Sequence, residues 1–345
     1  MRISYNHHPK VGPYNAFQLH VYEKGIAMKD ASQSAGMNVA ASNAGSTSPK
    51  LSFGSWAFSF GPYSNTPWSF HEVCLYLSKA GYDGVEINGF RPHPHPEEFD
   101  TDSKCQKLLE MIKGFQLEIS GYAPDFRKTP PSEVSNKDYM REMELSRVFC
   151  ERMGIKTLRV DSVSPPIELE NAEYEVRFDR MAKAFGSAAE RLKQSDVKLV
   201  WEFEPGFWLN KPSEVLRMIE AVQSDNFGIL FDTSHAYTSA VGRRQTGKKE
   251  ILVGRAAEFA KILAPHTTHL HLIDSIGELH NEETSEHLPF GTGHIDFDAV
   301  IENLGKSATA LDWWTVDFCF WPTAEIDGLT AVPFVRNLIK KHTYA

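Results

Sequence analysis

Four apolar runs of the sequence end in carboxylates or imidazoles. They supply Glu202 and Glu204 in WEFEP (201–205), Asp232 and His235 in LFDTSH (230–235), His269 and His271 in HLHLID (269–274), and Asp317 in WWTVDFCFW (313–321). Two or three carboxylates with one imidazole make an oxygen-rich donor set with a single nitrogen. That set suits Mn2+, Mg2+, Co2+ or Fe2+ better than a closed structural zinc site, with Mn2+ the first expectation. Four ligands from four runs leave positions open for two substrate oxygens, as Lewis-acid catalysis requires. Taken singly, an acid after a strand is more often a helix cap, and a histidine in an apolar strand more often packs within the core. The joint occurrence on four consecutive runs is what points to a divalent-metal site.

The same stretches hold groups that can move a proton. Glu202 and His235 are the leading base candidates, with Glu204 in reserve. Because histidine titrates near neutrality, His235 or His287 can both accept and return a proton. The segment HLIDSIGELHNEETSEHLPFGTGH (271–294) brings His280, His287 and His294 into one loop whose glycines and Pro289 suit a shaped or moving lid. Arg243-Arg244 can meet a phosphate or carboxylate of a substrate, or be a solvated basic turn. RPHPHP (91–96) reads as an extended rim segment, since a proline holds the residue before it extended.

These residues need a scaffold that places strand ends together. From Leu51 onward, eight short apolar runs alternate with amphipathic stretches: LSFGSWAFSF, YDGVEING, LEISGYAP, KTLRVDSV, VKLVWEFEP, FGILFDTSH, THLHLIDS and WWTVDFCFW. Their end markers are Trp56, Glu86, Tyr122, Asp161, Glu202, Asp232, His271 and Asp317, spaced 30 to 46 residues apart. Each interval accommodates a strand, a crossover helix and two loops, so the sequence predicts an α/β fold, a (βα)8 TIM barrel over 51–345. In such a barrel the active site lies at the carboxyl ends of the strands. Alternate residues of a strand share a face, so Glu202 and Glu204, or His269 and His271, can both face the mouth. Thr66-Pro67, Pro212 and Asp296 read as helix starts and Gly81 as a helix end. A doubly wound open sheet is disfavoured because no glycine-rich phosphate turn follows the first strand.

Residues 1–50 read differently. A mixed start gives way to ASQSAGMNVAASNAGSTSPK, a connector-like stretch, so an N-terminal extension is expected there. The chain has 345 residues and a net charge of −9, which argues against a nucleic-acid partner. Four cysteines, Cys74, Cys105, Cys150 and Cys319, lie far apart without a pairing pattern and read as reduced thiols. No signal-peptide pattern and no membrane-length apolar run is seen, so a cytoplasmic protein with no membrane association is the expectation.

Taken together, WEFEP, LFDTSH, HLHLID, PFGTGHIDF (289–297) and WWTVDFCFW resemble the xylose-isomerase-like barrel superfamily of sugar phosphate isomerases and epimerases, over about residues 51–345. The resemblance implies Glu202, Asp232, His271 and Asp317 as metal ligands and His235 as a substrate contact. The last ligand is usually glutamate, so Asp317 departs from the pattern. Aspartate reaches less far by about one C–C bond, roughly 1.5 Å. A symmetric two-base epimerase is therefore less expected than a histidine acting beside a metal. Trp56, Glu204, His280 and Arg243 are the candidate substrate contacts.

The strand ends and loops are also aromatic, with Trp56, Phe58, Phe60, Phe207, Trp208, Tyr237, Trp314, Phe318, Phe320 and Trp321. With the chain size and the extension, this resembles the larger subunit of C-glycoside deglycosidases. Those enzymes eliminate an aromatic aglycone from a 3-keto-C-glucoside and work with a small β-rich partner subunit. Three readings follow: a metal-dependent isomerase or epimerase of a keto-sugar or cyclitol, a carbon–carbon lyase of an oxidised C-glycoside, and a non-catalytic metal-binding scaffold. An oligomer is expected.

Overall fold

The computed structural model describes residues 48–343. The extension expected at 1–50 lies almost wholly outside the described residues, and the sheet begins at Lys50. Eight parallel strands close into a barrel: β1 (Lys50–Gly54), β2 (Gly84–Asn88), β3 (Glu118–Ala123), β4 (Thr157–Val160), β5 (Lys198–Glu202), β6 (Phe227–Asp232), β7 (Thr267–Leu272) and β8 (Trp313–Val316). Each lies within one of the eight apolar runs, extended by a residue at the start of β1 and β7. The strands are buried on both faces because helices cover the outside, which is why they read as nearly continuous apolar runs rather than alternating ones.

The helices are α1 (Phe70–Ala80), α2 (Asp102–Gly114), α3 (Asn136–Met153), α4 (Asn171–Lys193), α5 (Pro212–Val222), α6 (Thr233–Ala240), α7 (Arg255–Leu263), α8 (Phe297–Leu304), α9 (Lys306–Thr309) and α10 (Ala324–Thr343). Pro212 opens α5, Asp296 caps α8 and Gly81, in the left-handed region at φ 93°, ends α1, as the sequence predicts. The start of α1 differs from the expected Thr66-Pro67. Trp68 is drawn back to stack on Phe58 at 4.5 Å, and Ser69 with Glu72 forms a reciprocal capping box. Cys74, Cys105 and Cys150 are buried free thiols on α1, α2 and α3. Among the described residues no helix is long and apolar enough to cross a membrane.

Register sets the height of the strand ends. Asp232 on β6 pairs with His271 on β7, and His271 pairs with Thr315 on β8, two residues before Asp317. Glu202 on β5 pairs with Leu230 on β6. The four expected ligands therefore reach the mouth from four adjacent strands at nearly one level. After β7 the chain makes a short hairpin, Leu279–His280 against Thr284–Ser285, and returns over the mouth.

Candidate active site

Ligand atoms of Glu202, Asp232, His271 and Asp317 all lie within 4.8 Å of one another, and all four residues are buried. Each has one polar atom held by the protein and another left to converge. The Oδ1 of Asp232 accepts the N–H of His235 at 2.8 Å, capping α6, while its Oδ2 is buried with no hydrogen-bond partner among the described residues. The Oδ1 of Asp317 accepts from Trp56 Nε1 at 2.7 Å and from Cys319 N at 2.8 Å, leaving Oδ2 3.7 Å from His271 Nδ1. Glu202 commits Oε2 to Arg159 and keeps Oε1 3.1 Å from the same Nδ1. His271 turns Nε2 to Glu86 at 3.1 Å. Asp232 is thus both a helix cap and a candidate ligand.

This donor set fits a divalent cation. Three buried carboxylates facing one another repel, and one of them holds a buried oxygen that nothing else satisfies. Burial and the charges of Asp317 and Glu202 push Asp232 up to about 7, although His287 and His271 pull it down. Ionising all three carboxylates at neutral pH therefore calls for positive charge at their centre.

Beside the ligand cluster stand the candidate proton carriers. His235, in the first turn of α6, meets Ser285 Oγ through Nδ1 and places Nε2 3.9 Å from Glu204 Oε2. Burial pushes His235 down to about 3, so its imidazole is neutral. Glu204 accepts from Thr284 Oγ1, and burial with the nearby charges of Glu202 and Asp161 pushes it up to about 8. Burial opposes the charge on His287, but Asp317, 3.4 Å away, outweighs it and raises His287 to about 9. The hairpin loop thus touches groups delivered by three different strands.

The loop's return is clasped at its base. Asp274, just after β7, accepts the backbone N–H groups of Ser275, Gly291, Gly293 and Ile295 at 2.8 to 3.2 Å. Any side chain at 293 would strike this carboxylate, since a Cβ there would stand 2.3 Å from Asp274 Oδ1.

Glu202, Glu204, His235, His287, Asp317 and Trp56 line a cavity of about 570 Å3 at the barrel mouth. Arg159, Asp161 and Arg244 share its wall, and Phe60, Phe90, Phe126, Phe207 and Phe320 form an apolar collar. Of the aromatic residues singled out in the sequence, Phe58, Trp208, Trp314 and Phe318 are buried in the packing between strands and helices instead. Arg243 does not line the cavity. The backbone turns through left-handed Gly242 and Arg244, so Arg243 pairs with Glu278 and donates to the Gly277 carbonyl, while Arg244 lines the wall. His280 sits at the rim, its ring stacked on Phe320 at 5.0 Å. His93 is buried against Ser55 Oγ and the Trp68 carbonyl and has no place in the mouth. Arg159 and Glu86 were not anticipated as site residues. Their one trace in the sequence is a charge inside an otherwise apolar strand.

Residues 74–323 match the family described as the xylose isomerase-like TIM barrel. The chain is 20% identical over 286 residues to the inosose dehydratase of Geobacillus thermodenitrificans (strain NG80-2), covering 77% of this chain and 85% of that protein. In structure it resembles a D-tagatose 3-epimerase-like protein, with a TM-score of 0.62 at 17% identity over 85% of this chain and 98% of that one. It also resembles the IOLI protein with a binding zinc atom, with a TM-score of 0.57 at 18% identity over 85% and 99% of the two chains.

Proposed function

The chain belongs to the xylose isomerase-like TIM barrel family, and from that premise we propose that it is a divalent-metal-dependent enzyme removing a proton next to a carbonyl of a keto-sugar or cyclitol. The observation that carries this reading is the division of the mouth into two sets. Four ligands each spare one atom for a common point, and a separate His235–Glu204 pair stands beside them. The proteins it is similar to include an inosose dehydratase and a D-tagatose 3-epimerase-like protein, which supports a sugar or cyclitol substrate.

A divalent cation held by Glu202, Asp232, His271 and Asp317 supplies Lewis-acid polarisation of a substrate oxygen. Mn2+ is the ion we assign first, with Mg2+, Co2+ and Fe2+ as alternatives. His235, neutral and oriented by Ser285, takes the proton from carbon, and Glu204, held mostly protonated at neutral pH, stands beside His235 Nε2 as a proton donor. His287 is placed beside Asp317 to give a proton to a departing or newly formed hydroxyl. Asp317 itself is ill suited to shuttle protons, because Oδ1 already accepts two hydrogen bonds. That supports one-sided histidine chemistry over exchange between two symmetric bases.

The apolar collar favours one second reading. A free sugar gives Phe60, Phe90, Phe126 and Phe320 little to bury, whereas a flat aglycone stacks on such rings. The substrate on this reading is an oxidised C-glycoside, cleaved by elimination with a small β-rich partner subunit.

The test is solvent exchange. The metal-loaded protein is incubated in D2O with a panel of ketoses, inososes and 3-keto-C-glucosides and followed by NMR. Deuterium should enter next to the carbonyl of at least one compound; none entering any of them sinks the proposal. Phe320→Ala separates the two readings. On the glycoside reading it lowers turnover of the aromatic substrate by about tenfold, the loss of roughly one aromatic contact. On the free-sugar reading it leaves turnover within about twofold.

A further inference from the structure

Below the ligand cluster, inside the barrel, lies a polar group that the proposed chemistry does not use. Glu86, on β2, is fully buried, and its Oε2 is met by three groups from β7 and β8. These are His269 Nε2 at 2.8 Å, His271 Nε2 at 3.1 Å and Thr315 Oγ1 at 3.1 Å. The space for it is provided by Gly121 on β3, where a Cβ would stand 3.2 Å from Glu86 Cδ. A carboxylate this deeply buried is costly unless it is paired and hydrogen-bonded, and here its partners are the polar side chains that share the barrel interior, Thr315 being bonded in turn to Ser52.

We propose that Glu86 is a positioning residue for the metal site. From within the barrel it keeps a proton of His271 on Nε2, so that Nδ1, 3.1 Å from Glu202 Oε1 and 3.7 Å from Asp317 Oδ2, is the nitrogen whose lone pair a cation would take. A neutral imidazole carries one N–H, and a carboxylate accepts hydrogen bonds without donating. Glu86 therefore decides which nitrogen of His271 is available, and a carboxylate behind a ligating histidine also raises its basicity. His269, two residues earlier on the same face of β7, donates to the same oxygen and fixes the carboxylate in place. The inference rests on the ligand assignment proposed above.

The test uses Co2+, whose visible spectrum reports its coordination, titrated into the full-length protein and the Glu86→Gln variant in competition with a chelator. Glutamine keeps the shape and a carbonyl acceptor but offers a donor as well and removes the charge. Co2+ affinity should fall about 10- to 100-fold. If the natural protein binds Co2+ and the variant binds it within twofold as well, the role of Glu86 is overturned and the ligand assignment stands. If the natural protein binds no Co2+, the ligand assignment itself falls, and this inference with it. Should Glu86→Gln fail to fold, histidine 15N spectra of the Zn2+-loaded natural protein decide, with His271 assigned against His269→Gln. A proton on His271 Nε2 supports the proposal, and one on Nδ1 overturns it.

Discussion

Asp232→Ala and His271→Ala should purify without divalent metal, whereas His235→Ala should keep its metal and lose turnover. Each of the first two removes one of the four donors that converge on a common point. His235 is different. Its side chain contacts Ser285 and approaches Glu204, and its tie to Asp232 is through the backbone N–H, which alanine retains. General acid–base groups contribute about 10²- to 10⁴-fold, so His235→Ala should turn over more slowly by that factor. Metal content by elemental analysis and turnover on the same preparations check both halves. Asp232, His235 and His287 also form a cation-sized group, which makes the comparison sharp: equal metal loss in all three variants would transfer His235 to the ligand set.

The second large effect is expected at Arg159. Its guanidinium pairs with Glu202 and lies 3.3 Å from Asp161 Oδ2, with Glu204 and Asp317 also within its field. Burial alone would weaken its charge, and these carboxylates more than compensate, raising it well above the usual arginine value. Arg159→Met removes the cation and leaves the acids buried and unpaired. Breaking a buried pair in this way costs about 3–5 kcal/mol, or roughly 5–10 °C in melting temperature for a chain of this size. The loss should be largest in chelator and shrink when metal is restored, because a bound cation takes over part of the compensation. A melting curve equal to that of the natural protein under chelator would show that Arg159 does not hold these charges.

The barrel was legible because strands buried on both faces leave continuous apolar runs, and eight of them recur at intervals that fit one strand and one helix each. Strand ends were legible for the same reason, which is how Glu202, Asp232, His271 and Asp317 could be placed together at the mouth from their positions in the runs. The start of α1 was not. Thr66-Pro67 has the local chemistry of a helix start, but the stacking of Trp68 on Phe58 is a contact between segments that no local pattern records. Arg159 and Glu86 were missed because a charge within a strand does not announce its partner across the barrel. Between Arg243 and Arg244 the choice lay in backbone angles at Gly242 and Arg244, and two identical adjacent side chains give no means of ranking them.

The clasp at Asp274 bears on how such a barrel can acquire new substrates. One carboxylate gathers the backbone of Gly291, Gly293 and Ile295 and pins both ends of the excursion after β7 to the same point. The stretch PFGTGHIDF therefore reads as a hinge plate for a replaceable panel. What it secures, residues 276–288, lays Thr284, Ser285 and His287 against Glu204, His235 and Asp317, so a change in that segment would reshape the mouth while the clasp keeps its two ends in place.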